Sequence, residues 1–195
     1  MKGKALVNYD GEARLYSAFL NNESSQYYFN MLASSLSWQE ELIKMFGKTV
    51  KVPRLIAWYG DDGVTYSYSG INHEAMPWTT ELLELKKLVS KHAGADFNSV
   101  LANLYRNQHD YMGWHCDNEK SLGQNPLIVS LSLGQSRDFK FRHKLKKEVV
   151  NCKLNSGDLL LMGGSLQACW KHCLPKRKGI LGPRINLTFR TVIRN

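Results

Sequence analysis

Two histidines and an aspartate, His115, Asp117 and His172, are the side chains of this sequence best suited to redox chemistry. Two imidazoles and one carboxylate can occupy one face of an iron ion and leave its other positions open to oxygen. His115 and Asp117 stand two residues apart, so on an extended chain both point the same way. His172 must arrive from a distant segment. Further on, Arg184-Ile185-Asn186-Leu187-Thr188-Phe189-Arg190 alternates strictly. As a strand it places Arg184, Asn186, Thr188 and Arg190 on one face and Ile185, Leu187 and Phe189 on the other. Asn103 and Tyr105 share a second strand face just ahead of His115, where an amide and a phenol can donate to a carboxylate. Two arginines beside a metal suit a small dicarboxylate, Arg190 pairing with one carboxylate and Arg184 holding the other end. Singly, an H-x-D tripeptide or an arginine on a strand is compatible with ordinary surface residues. Together they indicate an oxygen-activating iron enzyme with a dicarboxylate co-substrate.

The elements that must position these groups follow from periodicity. Residues 24–46 read as a helix, with Ser37-Trp38-Gln39-Glu40 as a capping box, Leu42, Met45 and Phe46 on its apolar stripe and Gly47 as its stop. A second helix is expected over residues 80–92, with Leu82, Leu85, Leu88 and Val89 inward and Gly94 just beyond. Asp61-Asp62-Gly63 marks a turn, and Thr65-Tyr66-Ser67-Tyr68-Ser69 is rich in strand formers. From Phe97 onward short strands follow at 98–106, 127–133, 139–143, 149–154, 158–162 and 184–193. Many short strands without intervening helices indicate a jelly-roll core rather than a parallel α/β sheet. The expected class is α+β: one domain over residues 1–195, a helical flank to about residue 95, then the strand-rich core.

Charge and composition bound the partners. Lys and Arg total 26 against 17 Asp and Glu, a net +9, which suits a polyanion such as nucleic acid as well as plain solubility. No apolar run approaches the roughly 20 residues of a membrane helix, and Met1-Lys2-Gly3-Lys4 is not followed by a signal core, so a soluble, intracellular monomer is expected. Cys169 and Cys173 flank His172, but no second cysteine pair completes a zinc site. Reduced thiols are expected throughout.

Taken in order, Asn103-x-Tyr105, His115-x-Asp117-x-Glu119, His172 and Arg184-x-Asn186-x-Thr188-Phe189-Arg190 resemble the AlkB family of Fe(II)- and 2-oxoglutarate-dependent nucleic-acid dealkylases. The resemblance runs over roughly residues 45–193 and is closest to the homologue 2 and 3 branch, homologue 2 especially. Pro53-Arg54, Tyr59-Gly60-Asp61, Thr65-Tyr66-Ser67-Tyr68-Ser69-Gly70, Ser136-Arg137-Asp138-Phe139 and Phe141-Arg142-His143-Lys144 add to it.

The resemblance implies a double-stranded β-helix core beneath a nucleotide-recognition lid. It implies that His115, Asp117 and His172 hold Fe(II). The far carboxylate of 2-oxoglutarate would lie on Arg190 with help from Tyr105, and Asn103, Arg184 and Asn186 would complete the pocket. The implied reaction uses O2 and hydroxylates an N-alkyl carbon of 1-methyladenine or 3-methylcytosine in DNA, releasing succinate, CO2 and formaldehyde. RNA and protein remain alternative substrates of the same cofactor class, and a binding module with a structural ion is a third reading. The target base must be flipped out of a duplex. Tyr68 would stack on it opposite His172, Tyr66 and Ser69 would flank it, and Glu119 would accept from its exocyclic amine. Phe46, in Met45-Phe46-Gly47-Lys48, reads either as a wedge inserted into the base stack or as a core residue ending its helix. Lys140, Arg142 and Lys144 on one strand face, and Lys176-Arg177-Lys178, are candidate phosphate contacts. Localisation follows the host: cytoplasmic in a bacterium, nuclear in a eukaryote.

Overall fold

Backbone pairing organises the chain into two facing sheets and a hairpin. The computed structural model describes residues 2–45, 48–68, 71–179 and 182–193. β1 (Lys4–Val7) and β2 (Glu12–Tyr16) lead into α1 (Asn22–Ser35), then β3 (Gln39–Met45) and β4 (Lys48–Gly60). β5 (Thr65–Tyr68), β6 (Ile71–Glu74) and the short β7 (Met76–Pro77) precede α2 (Thr80–Ala93). The rest comprises β8 (Ser99–Tyr105), β9 (Met112–His115), β10 (Ile128–Gly134), β11 (Arg137–His143), β12 (Val149–Leu154) and β13 (Leu159–Gly163). A one-turn α3 (Leu166–Cys169), β14 (Trp170–Leu174) and β15 (Arg184–Arg190) complete it.

The large sheet runs β1-β2-β13-β10-β15-β8-β4-β3, with β7 beside β4, and the small sheet runs β12-β11-β14-β9. β5 and β6 form a separate pair. Both faces of the large sheet are covered. On one, Leu32 of α1 and Leu82, Leu85 and Val89 of α2 pack with Val100, Ala102, Val129, Leu131, Ile185, Leu187 and Phe189. On the other, Trp58, Tyr105, Ile128 and Met162 meet Phe139, Phe141, Trp170 and Leu174 of the small sheet. The period-two alternation of each central strand therefore sends one set of side chains to the helices and the other into the space between the sheets.

α2 matches its expected span. Thr79 Oγ1 accepts from the Leu82 N–H at 3.3 Å, and Gly94 closes the helix in the left-handed region at φ 64°. Leu88 is exposed, so the buried stripe is Leu82, Leu85 and Val89.

The helix expected over residues 24–46 is not formed as one element. α1 starts at Asn22, capped by the Asn21 side chain, and ends at Ser35, with Leu36 already extended at ψ 144°. The Ser37 N–H then donates to the Tyr59 hydroxyl at 2.9 Å and the Trp38 indole to the Ala33 carbonyl at 3.2 Å. These contacts turn the chain into β3, which pairs antiparallel with β4 through Glu40↔Leu55 and Leu42↔Lys51. Leu42 is exposed rather than on a helical core stripe. Backbone pairing with β4 on both sides of a register shift between Glu40 and Leu42 outweighs the weak helical preference of this stretch. The N-terminal flank is likewise not only helical: β2 pairs with β13 and carries Ala13 and Leu15 into the inter-sheet core.

No helix among the described residues is long and apolar enough to cross a membrane. Cys116, Cys152, Cys169 and Cys173 are all free thiols. Leu131→Ala, in the fully buried centre of β10, is expected to lose about 2–5 kcal/mol in urea denaturation. Leu145→Ala, at a position 93% exposed, is expected to stay within about 0.5 kcal/mol of the unsubstituted protein.

Candidate active site

The triad is assembled by strand register. β9 and β14 pair so that His172 lies directly opposite His115. Asp117 follows two residues after the end of β9, and the candidate ligand atoms of His115, Asp117 and His172 all lie within 4.8 Å of one another. The His115 Nδ1 lies 2.9 Å from the Gly113 carbonyl, a contact that leaves Nε2 free to bind metal. His172 is buried, stacked under Phe139 with ring centroids 5.4 Å apart.

Two further contacts hold Asp117. Its N–H donates to Gln167 Oε1 at 3.0 Å, and Arg190 Nη2 donates to its Oδ2 at 2.9 Å. Burial pushes the Asp117 carboxyl up, but Arg190, His172 and His115 outweigh this and hold it down at about 2. Burial, helped by His115 and Arg190 and opposed by Asp117, pushes His172 down to about 3. An ionised Asp117 beside an imidazole of His172 whose basicity is depressed suits metal binding, which needs deprotonated ligand atoms. The donor set therefore fits a divalent iron ion.

A cavity of about 200 Å³ opens on the triad. One wall is the polar face of β15, which points between the sheets. Its register with β8 sets Arg184 against Tyr105 and Asn186 against Asn103. Arg184 is only 1% exposed. Its Nη2 donates to Ser132 Oγ at 2.8 Å and to Asn186 Oδ1 at 3.0 Å, and its guanidinium lies 5.4 Å from the centre of the Tyr105 ring. No carboxylate among the described residues pairs with it. Burial lowers it to about 10, Tyr105 opposing and Arg137 adding to the shift. Asn186 Nδ2 donates to Thr188 Oγ1 at 2.7 Å.

The structure thus places the two arginines in different surroundings, Arg190 on the Asp117 carboxylate and Arg184 beside Tyr105. Arg190 is engaged by the Asp117 carboxylate beside the two histidines. Arg184 is the buried cation whose neighbours are neutral oxygens. Arg54 was not singled out from the sequence as a functional residue, although its segment was noted. It is buried in the cavity wall and its Nε donates to Asn103 Oδ1 at 2.7 Å. Gln167 was missed as well, since neither residue belongs to any spacing pattern.

Glu119 lines the same cavity, at the start of a 3-10 turn over Lys120–Leu122. Tyr66 and Tyr68 occupy alternate positions of β5, opposite His73 and Ile71 of β6. Phe46 and Ser69 lie outside the described residues. Of the candidate phosphate contacts, Lys144 Nζ is turned to the Gln167 carbonyl at 2.9 Å and Arg177 pairs with Asp138. Arg142 remains exposed, over the Trp114 ring.

The profile of the 2OG-Fe(II) oxygenase superfamily matches residues 12–190. The chain belongs to that superfamily. The oxygenase is 39% identical over 188 residues to human alpha-ketoglutarate-dependent dioxygenase alkB homolog 3, covering 91% of this chain and 65% of the relative. It is 42% identical over 159 residues to the Bos taurus DNA oxidative demethylase ALKBH2, covering 77% of this chain and 57% of that protein. Its likeness to the homologue 2 and 3 branch is thus borne out, and it spans less than two thirds of these relatives' lengths. The structure of OsALKBH1 superposes with a TM-score of 0.64 at 18% identity, over 96% of this oxygenase and 100% of that chain, and so shares the fold.

The depressed His172 basicity has a thermodynamic consequence. The unfolded chain takes up a proton below about pH 6.5 that the folded chain refuses until about pH 3. Stability of the metal-free protein is therefore expected to fall as pH drops through that window, by up to about 1.4 kcal/mol per pH unit. The Asp117 contribution is lost only below its ordinary 3.8, toward 2. Urea denaturation across a pH series checks this, and His172→Gln is expected to flatten the slope between pH 6 and 4, on the order of the window above.

Proposed function

We propose that this oxygenase repairs DNA by oxidative dealkylation, removing N-linked alkyl groups from 1-methyladenine and 3-methylcytosine with Fe(II), O2 and 2-oxoglutarate and releasing succinate, CO2 and formaldehyde. The observation that carries the reading is one cavity with a His-Asp-His triad at one end and, at the other, a buried guanidinium without a carboxylate partner among the described residues. Similarity to a protein named DNA oxidative demethylase supports DNA as the substrate, and the net +9 charge suits its phosphates.

His115, Asp117 and His172 are the proposed iron ligands. Bound iron supplies the redox chemistry that couples oxidation of 2-oxoglutarate by O2 to hydroxylation of the alkyl carbon. Arg184, with Tyr105, is assigned the far carboxylate of 2-oxoglutarate, since a charge-assisted contact would relieve its burial. Arg190 keeps Asp117 ionised and oriented toward the metal. Asn103, held by Arg54, and Asn186, held by Ser130 and Thr188, line the path between the two ends. The apolar wall of Leu101, Met112, Phe139 and Leu174 limits water beside the reacting carbon. Glu119 is assigned the exocyclic amine of the base, and Tyr66, Tyr68 and Ser69 its ring. Phe46 is proposed as the wedge. Residues 1–195 are treated as one catalytic domain, because strands from both halves share the large sheet.

Incubation with Fe(II), 2-oxoglutarate, ascorbate and an oligonucleotide bearing 1-methyladenine is expected to yield unmodified adenine and one formaldehyde per succinate. Unchanged methyl content on single- and double-stranded DNA would overturn the proposal, and succinate release on RNA or protein alone would redirect it. Asp117→Ala is expected to abolish turnover. Phe46→Ala is expected to slow repair of duplex more than of single strands, and equal rates on both would remove the wedge.

A further inference from the structure

Arg137 is a second fully buried guanidinium that the proposed mechanism leaves unused. It opens β11 and is 1% exposed. No carboxylate among the described residues forms an ion pair with it: Asp110 is taken by Arg106 and Asp138 by Arg177. Its partners are main-chain carbonyls. Nη1 donates to Asn107 at 3.2 Å, and Nη2 to Asp110 at 2.8 Å and Pro175 at 2.9 Å. These carbonyls belong to the turn after β8, which leads to the His115 strand, and to the chain leaving the His172 strand. The same guanidinium lies 5.8 Å from the centre of the Tyr105 ring, to which Arg184 also lies close at 5.4 Å. Tyr105 lines the cavity and Arg137 does not.

A buried cation is expensive where its hydrogen bonds go to carbonyls, its Nε has no partner and the nearby carboxylates of Asp110 and Asp138 are each shared with another arginine, and a smaller donor or an apolar residue would avoid the cost. Placing two such cations on one tyrosine adds mutual repulsion. Arg137 is among the charges that lower Arg184. The arrangement makes sense where an anion arrives at that end of the cavity.

We infer that Arg137 is a positioning residue for the far carboxylate of the dicarboxylate co-substrate, which rests on the reading of Arg184 as that carboxylate's partner. Its fork of donors holds Tyr105 and the two flanking loops in place. Its charge, behind the tyrosine, raises the preference of that end for a dianion. The assignment predicts an effect on co-substrate binding and on discrimination against 2-oxo acids lacking the second carboxylate, with little effect on the reaction once the site is filled.

The test is binding of 2-oxoglutarate and of 2-oxopentanoate, followed by calorimetry on the Mn(II)-loaded protein without nucleic acid. Arg137→Met is expected to bind 2-oxoglutarate about tenfold more weakly, through a displaced Tyr105 and the loss of a positive charge behind it. Its affinity for 2-oxopentanoate and its kcat at saturating 2-oxoglutarate are expected to change little. Arg137→Lys, which keeps the charge and loses the fork, is expected to recover part of the loss. Should the methionine variant not fold, Arg137→Gln, which retains donors for the carbonyls, replaces it with the same expectation. A folded neutral variant that binds Mn(II) and 2-oxoglutarate like the unsubstituted protein overturns the inference. Arg184→Met separates the two levels. If it too binds 2-oxoglutarate normally, the pocket reading itself is wrong; if it alone loses binding, only the role of Arg137 falls.

Discussion

One buried ion pair, Arg190 with Asp117, is the contact on which the rest of the site depends. Arg190 ends the central strand β15 of the large sheet, and Asp117 follows β9 at the edge of the small one. The pair therefore joins the two sheets through the site. Either charge alone would be costly to bury, and removing one strands the other. Together they leave an ionised carboxylate beside His172, whose imidazole burial and neighbouring positive charge keep neutral. A metal site needs that protonation state, and this fold prepares it from the protein side.

The second constraint is that the large sheet is buried on both faces. Helices α1 and α2 take the apolar set of its central strands, which frees the other set to be polar without exposing it. The space between the sheets can then hold Arg184, Asn186, Thr188, Asn103 and Tyr105 in a dry setting, where each polar contact is stronger than in water. Hydrogen bonds donated by Ser130 and Arg54, and the Ser132 hydroxyl that accepts from Arg184, satisfy much of this interior face. Arg184 is buried there with neutral hydrogen-bond partners and no carboxylate ion pair among the described residues.

Legibility from sequence varied with how local the signal was. α2 and six strands of the C-terminal half, β8, β10, β11, β12, β13 and β15, were readable, because capping residues and period-two alternation act within one segment. The stretch 36–45 was misread as helix because its apolar spacing suits either state and its strand partner, β4, lies beyond a turn. β1, β2, β9 and β14 are four or five residues long, too short for alternation to register, although two of them bear triad histidines or lead to them. Lys144 reads as a surface cation on an alternating strand, yet it spans to a carbonyl of α3 that sequence spacing could not anticipate.

The sequence by itself determined the chemistry on offer: two imidazoles, a carboxylate, two arginines on one strand face and an amide and phenol on another. These are matters of residue type and short-range spacing, which the chain carries locally. Only the tertiary structure decided which groups meet. Register between β9 and β14 joined the histidines, and register between β15 and β8 placed Arg184 at Tyr105. The meeting of Arg190 with Asp117 across the two sheets was likewise set by the fold. Pairing between distant strands is a property of the whole fold, because the backbone bonds that set it lie between segments far apart in the chain.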